Sequence, residues 1–328
     1  MFSAKLVILS VLPPYLLILM GAVLRRVGVL RREHDEGIMH VVFHVLYPCL
    51  ILDKILGNEA VRSFSSVGWS IALGFLLPIS GILVGWGVGR LLGLEKGSGR
   101  RTFALSSGVQ NFGYTAIPVI QQLWPAGALA VLFVHNLGVE LAMWSVGVML
   151  MSGANRVEWR KLVNGPVFSV IVGLLLVGCG LDQFLTPPSV GGSAVQLWLV
   201  APMREAMKML GAGTFPVAIV LTGAMMWDLA KGERPSLRII LGGAVVRLVI
   251  SPLIILSAAK FLPLPVALKQ VLIVQAAMPA AMTPILLARL YGGRPGIAVQ
   301  VVLATTALSL LTLPWIIDWG TSWIGLKP

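Results

Sequence analysis

The stretch "GVQNFGYTAIPVI", residues 108–120, lies inside a long apolar run yet carries two amides, two glycines and a proline. A continuous membrane helix would place Leu and Val there, because polar groups left unpaired in hydrocarbon cost several kcal/mol each. Proline removes a backbone donor and clashes one turn back, and glycine loosens the same region. The segment therefore reads as a membrane helix interrupted near its middle. The rest of the chain tells whether the interruption stands alone.

The 328 residues are 57% hydrophobic and 12% charged, with a mean hydropathy of +0.90. A soluble domain has about a quarter of its residues charged. Apolar runs of ~20 residues recur throughout, the mark of repeated transmembrane helices, so the chain is an all-α membrane protein. A net charge of +12 would suggest nucleic acid for a soluble protein. Here the basic residues fill the short gaps between apolar runs, which points to topology and to anionic lipid headgroups, not to a nucleic-acid partner. Cys49 and Cys179 both fall inside apolar runs, which rules out a disulfide framework or a Cys-x-x-Cys metal site. The first run follows a single Lys5 and lacks a small-residue cleavage site, so it reads as a retained helix.

Ten spans emerge, at roughly 5–24, 37–56, 66–92, 100–123, 126–152, 166–184, 196–229, 236–260, 266–290 and 296–318. The seventh is too long for one straight helix and is expected to bend near Gly211–Pro216. Gaps after odd-numbered spans hold Arg25, Arg26, Arg31, Arg32; Arg90, Lys96, Arg100, Arg101; Arg156, Arg160, Lys161; Lys231, Arg234, Arg238; Arg289 and Arg294. The opposite side holds Lys5, Lys54, Arg62, Arg204, Lys208, Lys260, Lys269 and Lys327. The positive-inside rule then puts both termini outside the cytoplasm of a multi-pass cytoplasmic-membrane protein.

The halves resemble each other. Pro48 pairs with Pro216, Pro78 with Pro252, and Pro118 with Pro284, at offsets of 168, 174 and 166 residues. Five spans per copy is an odd number, so the second copy must lie inverted. The expected organisation is 1–152, a short cytoplasmic connection at 153–165, and 166–328. Inverted repeats with interrupted helices in matching positions mark a transporter's binding site.

At the offset of 166, Gly113 falls opposite Pro279. Two such breaks, in spans 4 and 9, would cross at mid-membrane, where half-helix N-termini attract an anion. Asn111, Thr115 and Pro118 share a face, with Gln110 and Tyr114 on the neighbouring stripe. Asn136 on span 5 and Gln275 and Thr283 in the second copy complete the expected polar set. Neutral amides can hold a carboxylate without the cost of burying a counter-charge. Asn111 and Gln275 also admit a plainer reading as interhelical hydrogen-bonding glue.

"QNFGYTAIPVI" (110–120) resembles the fourth helix of the auxin efflux carrier family, and "VQAAMPAAMTPILLARLYGGRPGIAVQVVL" (274–303) resembles its ninth helix and the start of its tenth. The family includes plant PIN-type carriers and many bacterial anion transporters. The resemblance implies ten helices in a 5+5 inverted repeat with crossing broken helices 4 and 9, a bile acid/sodium symporter-like fold. It also implies elevator-type movement of a small organic anion, such as malate, malonate or an auxin-like acid. Carried over, Asn111 matches the family's substrate-carboxylate Asn, and Pro118 and Pro284 match the crossover prolines. Two features depart from the plant pattern: a connection of only about 13 residues after span 5, and His44, Ile51 and Asp53 on span 2. The second argues against auxin itself.

Glu140 (span 5) and Arg247 (span 8) lie at matching membrane depth, where a charge is expected to face a partner or a cavity. Their reading is an ion pair or a coupling group. His44, one turn from His40, and His135 titrate near neutral pH, so coupling to H+ is open, as is Na+. A His40–His44 metal site lacks a third ligand. No cofactor, phosphate-binding loop, HExxH or GxSxG motif is present, so neither ATP-driven pumping nor an enzyme is supported. Gly81, Gly85 and Gly89 make a helix-packing stripe. The chain is expected to be a secondary transporter, with a second copy of itself as a partner left open. A membrane sensor or scaffold binding a ligand at the same crossover is the alternative.

Overall fold

The computed structural model describes residues 4–113, 115–124, 127–153, 164–186, 193–230 and 235–326, apart from the side chains of 4–8, 10, 11 and 230. Tyr114 and most of the 153–165 connection lie outside the described residues. Those described are overwhelmingly helical. Helix α1 (Ala4–Arg26) is followed by α2 (Arg32–Ile55) and α3 (Phe64–Leu91). The fourth span is two pieces, α4 (Ser98–Gly108) and α5 (Ala116–Leu123). Next come α6 (Ala128–Ser152) and α7 (Gly165–Gly178). A π turn at Gln196–Val200 leads into α8 (Ala201–Ala212), then α9 (Thr214–Ala230) and α10 (Leu237–Phe261). The ninth span is again two pieces, α11 (Val266–Ala277) and α12 (Thr283–Leu290), before α13 (Pro295–Ile324).

Six of these segments are long and apolar enough to cross a membrane: Arg32–Ile55, Phe64–Leu91, Ala128–Ser152, Gln196–Leu229, Leu237–Phe261 and Pro295–Ile324. Their outward faces are rich in exposed Leu, Val and Trp, such as Leu83, Leu311 and Trp315, as lipid-facing surfaces require. The chain is therefore a multi-pass membrane protein.

Small residues set the closest packing. Without water to expel, membrane helices gain by letting backbones approach. A methyl group at Gly21 of α1 would collide with the Val220 carbonyl of α9, and one at Gly223 with the Ile18 carbonyl. On α3, Gly74 abuts the His135 carbonyl of α6, while Gly81 and Gly85 abut Gly108 and Ala104 of α4. These contacts wedge α4, the first half of the interrupted helix, between α3 and its neighbours. Gly89, at the far end of the stripe, meets Phe103 and Arg100.

The long seventh span divides at Gly213, between α8 and α9. The prolines of the interrupted spans do less breaking than their positions suggest. Pro284 is the second residue of α12 and Pro118 the third of α5, where a missing N–H has no partner to lose. The interruptions run from Val109 to Thr115 and from Met278 to Met282. Gly113 and Pro279 lie inside them, but the first break is two residues longer than the second. One fixed offset therefore does not superpose them.

Candidate functional site

The two interruptions meet. Gln110 and Ala280 form an isolated antiparallel bridge, flanked by Asn111 N–H donating to Pro279 O at 2.7 Å and Ala281 N–H donating to Val109 O at 3.0 Å. Each break thus satisfies backbone groups that the other exposes, which makes non-helical backbone tolerable at membrane depth. On the second crossing segment, Ala280 N–H also donates to Thr305 Oγ1 of α13 at 3.1 Å.

Extended backbone sends alternate side chains to opposite faces, and the bridge sorts the predicted residues accordingly. Asn111 and Ala281 face a cavity of about 750 Å³, open solvent included. From α2 come Phe43, Tyr47 and Ile51; from α6 come Phe133, Asn136, Leu137 and Glu140; α7 closes the wall with Val167 and Val170. Phe112, Gly113, Met282 and Thr283 bring both breaks to its edge. Helix α12 begins there at Thr283, so its positive dipole end lies at the cavity, and α5 begins three residues beyond Gly113.

The amides form a connected set. Asn111 Nδ2 donates to Thr115 Oγ1 at 3.2 Å. The Phe112 carbonyl accepts from Asn136 Nδ2 at 2.9 Å and from Gln275 Nε2 at 3.2 Å. Gln275 Nε2 also reaches Asn136 Oδ1 at 3.3 Å. Of the six residues expected to bind substrate, Asn111, Asn136 and Thr283 line the cavity. Thr115 and Gln275 are buried behind it and hold its wall.

Gln110 does not join them. It is 1% exposed, and both its amide atoms lack a protein partner among the described residues. It shares the bridge face of Ala280, which packs with Val246, Val301 and Val302 away from the cavity. The stripe argument treated 108–120 as helix, and the extended conformation at the bridge reverses Gln110 relative to Asn111.

Glu140 and Arg247 do not pair. Glu140 Oε2 accepts from Trp144 Nε1 at 2.6 Å, one turn along α6. Arg247, fully buried, donates from Nη1 to Gly108 O at 3.3 Å. Gly108 ends α4, where helix carbonyls concentrate partial negative charge, a favourable place for a cation. Matching depth was the whole argument for the pair, and depth leaves the rotation of each helix undefined. His44 faces outward with Nδ1 on the His40 carbonyl at 2.9 Å. His135 is fully buried, with its backbone carbonyl against Gly74 of α3. Neither histidine lines the cavity. Among the described residues no cluster of His, Cys, Asp or Glu is arranged to hold a metal.

The aromatic wall was missed. Phe43 and Tyr47 stack at 6.1 Å, and Phe133 meets Tyr47 edge-on at 6.2 Å. Phe43 and Tyr47 are one turn apart in the sequence, a signal that was available but indistinguishable from ordinary lipid-facing or core aromatics.

A ligand-sized cavity reached by two interrupted helices, inside a bundle of apolar spans, defines a membrane transport protein. Residues 6–317 match the family model described as "Membrane transport protein", and the chain belongs to that family, the auxin efflux carrier family. Its sequence is 24% identical over 317 residues to an uncharacterized transporter of Methanothermobacter thermautotrophicus, covering 93% of this chain and 95% of that one. It is 23% identical over 321 residues to an uncharacterized transporter of Methanocaldococcus jannaschii, covering 95% and 96%.

Proposed function

We propose that the protein is a secondary transporter for a small organic anion, a carboxylate, bound where the two interrupted helices cross. The observation that carries this reading is the antiparallel meeting of the breaks at Gln110 and Ala280 beside a cavity that holds Asn111 and Thr283, the start of α12. Donors without a counter-charge suit a carboxylate that must later leave. On this reading the chain is a 5+5 inverted repeat, residues 1–152 and 166–328. Its termini lie outside the cytoplasm, and the crossing helices move as an elevator against the remaining spans.

The inside-negative potential favours outward movement of an anion by about 2.3 kcal/mol per charge per 100 mV. Uptake would need coupling to H+ or Na+. A sensor or scaffold binding the same ligand would share the cavity but not the flux. The deciding experiment is counterflow and potential-driven flux of mono- and dicarboxylates, malate, malonate and indole-3-acetate among them, in proteoliposomes. Carboxylate binding without any flux would reject transport.

A further inference from the structure

The cavity's only charged side chain among the described residues is an acid. Glu140 lies on the same face of α6 as Asn136, one turn away, about 6 Å along the axis. Trp144 occupies Oε2, and Oε1 has no hydrogen bond among the described residues. An intramembrane carboxylate calls for a partner, yet none comes from the elements packed around α6. Their ionisable groups are Arg90 on α3, Lys269 on α11, Tyr47, Cys49, Asp53 and Lys54 on the Tyr47–Ile55 part of α2 that meets α6, and Glu59 beyond it. Of these, only Tyr47 shares the cavity. Asp53 is taken up by Lys54 at 2.8 Å and Arg204 at 3.5 Å. Arg100 and Arg101 on α4 and Arg289 on α12 belong to helices that meet α6 at its last turn, Val148–Ser152. On α6 itself His135 does not line the cavity, and neither does Arg247 of α10, which donates from Nη1 to the Gly108 carbonyl.

Phe43 and Tyr47 share the cavity with Glu140, and Phe133 lies two turns back along α6, beyond Asn136. Ring faces beside a carboxylate are the surroundings that recognise an organic cation. The same cavity presents the Asn111 amide and the N-terminus of α12, the surroundings of an anion. We propose that the ligand carries both charges: a carboxylate held at the crossing and an ammonium group about one helical turn away, held by Glu140 within the aromatic wall. This rests on the reading of the crossing as a carboxylate site and names the substrate class more closely, as amino acids whose amine stands several bonds from the carboxylate.

Calorimetric binding of butyrate, 4-hydroxybutyrate and 4-aminobutyrate to the purified full-length protein tests it. The expected result is 4-aminobutyrate about tenfold tighter than the other two. Glu140→Gln should erase that preference. Equal affinities for the three in the unaltered protein, or a preference that survives Glu140→Gln, would overturn the proposal. Should the variant not fold, the three-ligand comparison in the unaltered protein decides alone. If none of the three binds, the carboxylate reading of the crossing falls, and this inference with it. Carboxylates that bind without preference leave the crossing intact and remove the cationic end.

Discussion

The two interruptions do the same structural task with different chemistry. The first, Val109–Thr115, carries amides on both faces of the crossing. The second, Met278–Met282, is short, has no amide of its own, and leans on Thr305 from α13. Their approaches differ too. Helix α4 ends in Gly108, pressed against Gly81 and Ile82 of α3 and touched by the Arg247 guanidinium. Helix α11 ends in Ala277, fully buried but with room for its methyl group. The crossing uses both breaks for backbone satisfaction. On the proposed reading, the first break presents polar side chains to the ligand, and the second supplies shape and a helix start.

The sharpest way to break this comparison is at the helix ends. Gly108→Leu should destabilise the protein by about 3 kcal/mol or more, because the side chain has only α3 backbone to displace. Ala277→Gly should cost about 1 kcal/mol, the usual helix penalty. Thermal unfolding in detergent compares them, and equal losses would mean the two ends are packed alike.

Thr305→Val should cost about 1–2 kcal/mol by leaving the buried Ala280 N–H unpaired, with carboxylate affinity unchanged in a binding titration. A loss of affinity equal to the loss of stability would show that the second break contributes to recognition. Asn111→Ala is its mirror: about tenfold weaker carboxylate binding, or roughly 1.4 kcal/mol, at unchanged melting temperature. Unchanged affinity with lowered stability would make Asn111 glue.

Glu140→Gln and Arg247→Gln, once expected to couple, should now add within about 0.5 kcal/mol in a double-mutant cycle. A larger coupling would mean that the two sides of the crossing communicate.

The smallest effect is at the entry to α4. Glu95 accepts from Ser98 Oγ at 2.8 Å, from Gly99 N–H and from Arg294 at 2.6 Å. The Ser98 and Gly99 donors, with Arg294 beside them, hold its carboxyl below the usual range. A lowered folded value adds stability above the unfolded value of about 4.3, and that stability is lost as pH falls below it. The carboxyl is solvent-exposed, so salt should mute the effect. Glu95→Gln should make acid unfolding slightly less steep, and an unaltered acid limb would mean the contact contributes nothing.

Much of this architecture was legible from spacing and composition. The apolar runs place the helices, and Gly113, Pro118, Pro279 and Pro284 mark both interruptions to within a few residues. Orientation was not legible. Gln110 and Asn111 are neighbours on a helical stripe only while the segment is helical. One stretch of extended backbone sends them to opposite sides. Depth along a span brought Glu140 and Arg247 together on paper, but depth says nothing of which way each side chain points, and π turns at Val42–Leu46, Met143–Gly147 and Val246–Ile250 each insert an extra residue per turn. They rotate everything downstream in a way no apolar pattern records. The aromatic wall escaped for another reason: Phe43, Tyr47 and Phe133 come from distant spans, and each alone looks like any apolar residue in a membrane helix.

The carbonyl of Phe112 has one more consequence. A carbonyl oxygen offers two lone pairs, and here both are taken, by Asn136 and by Gln275. At the centre of the crossing the backbone therefore has hydrogens to give and this oxygen already spoken for. A bare metal cation, which would need several oxygens to replace its water shell, finds one fewer at that point, whereas an oxyanion loses nothing. On the proposed reading, two side-chain amides that touch no ligand through this bond still help set which sign of charge the crossing favours.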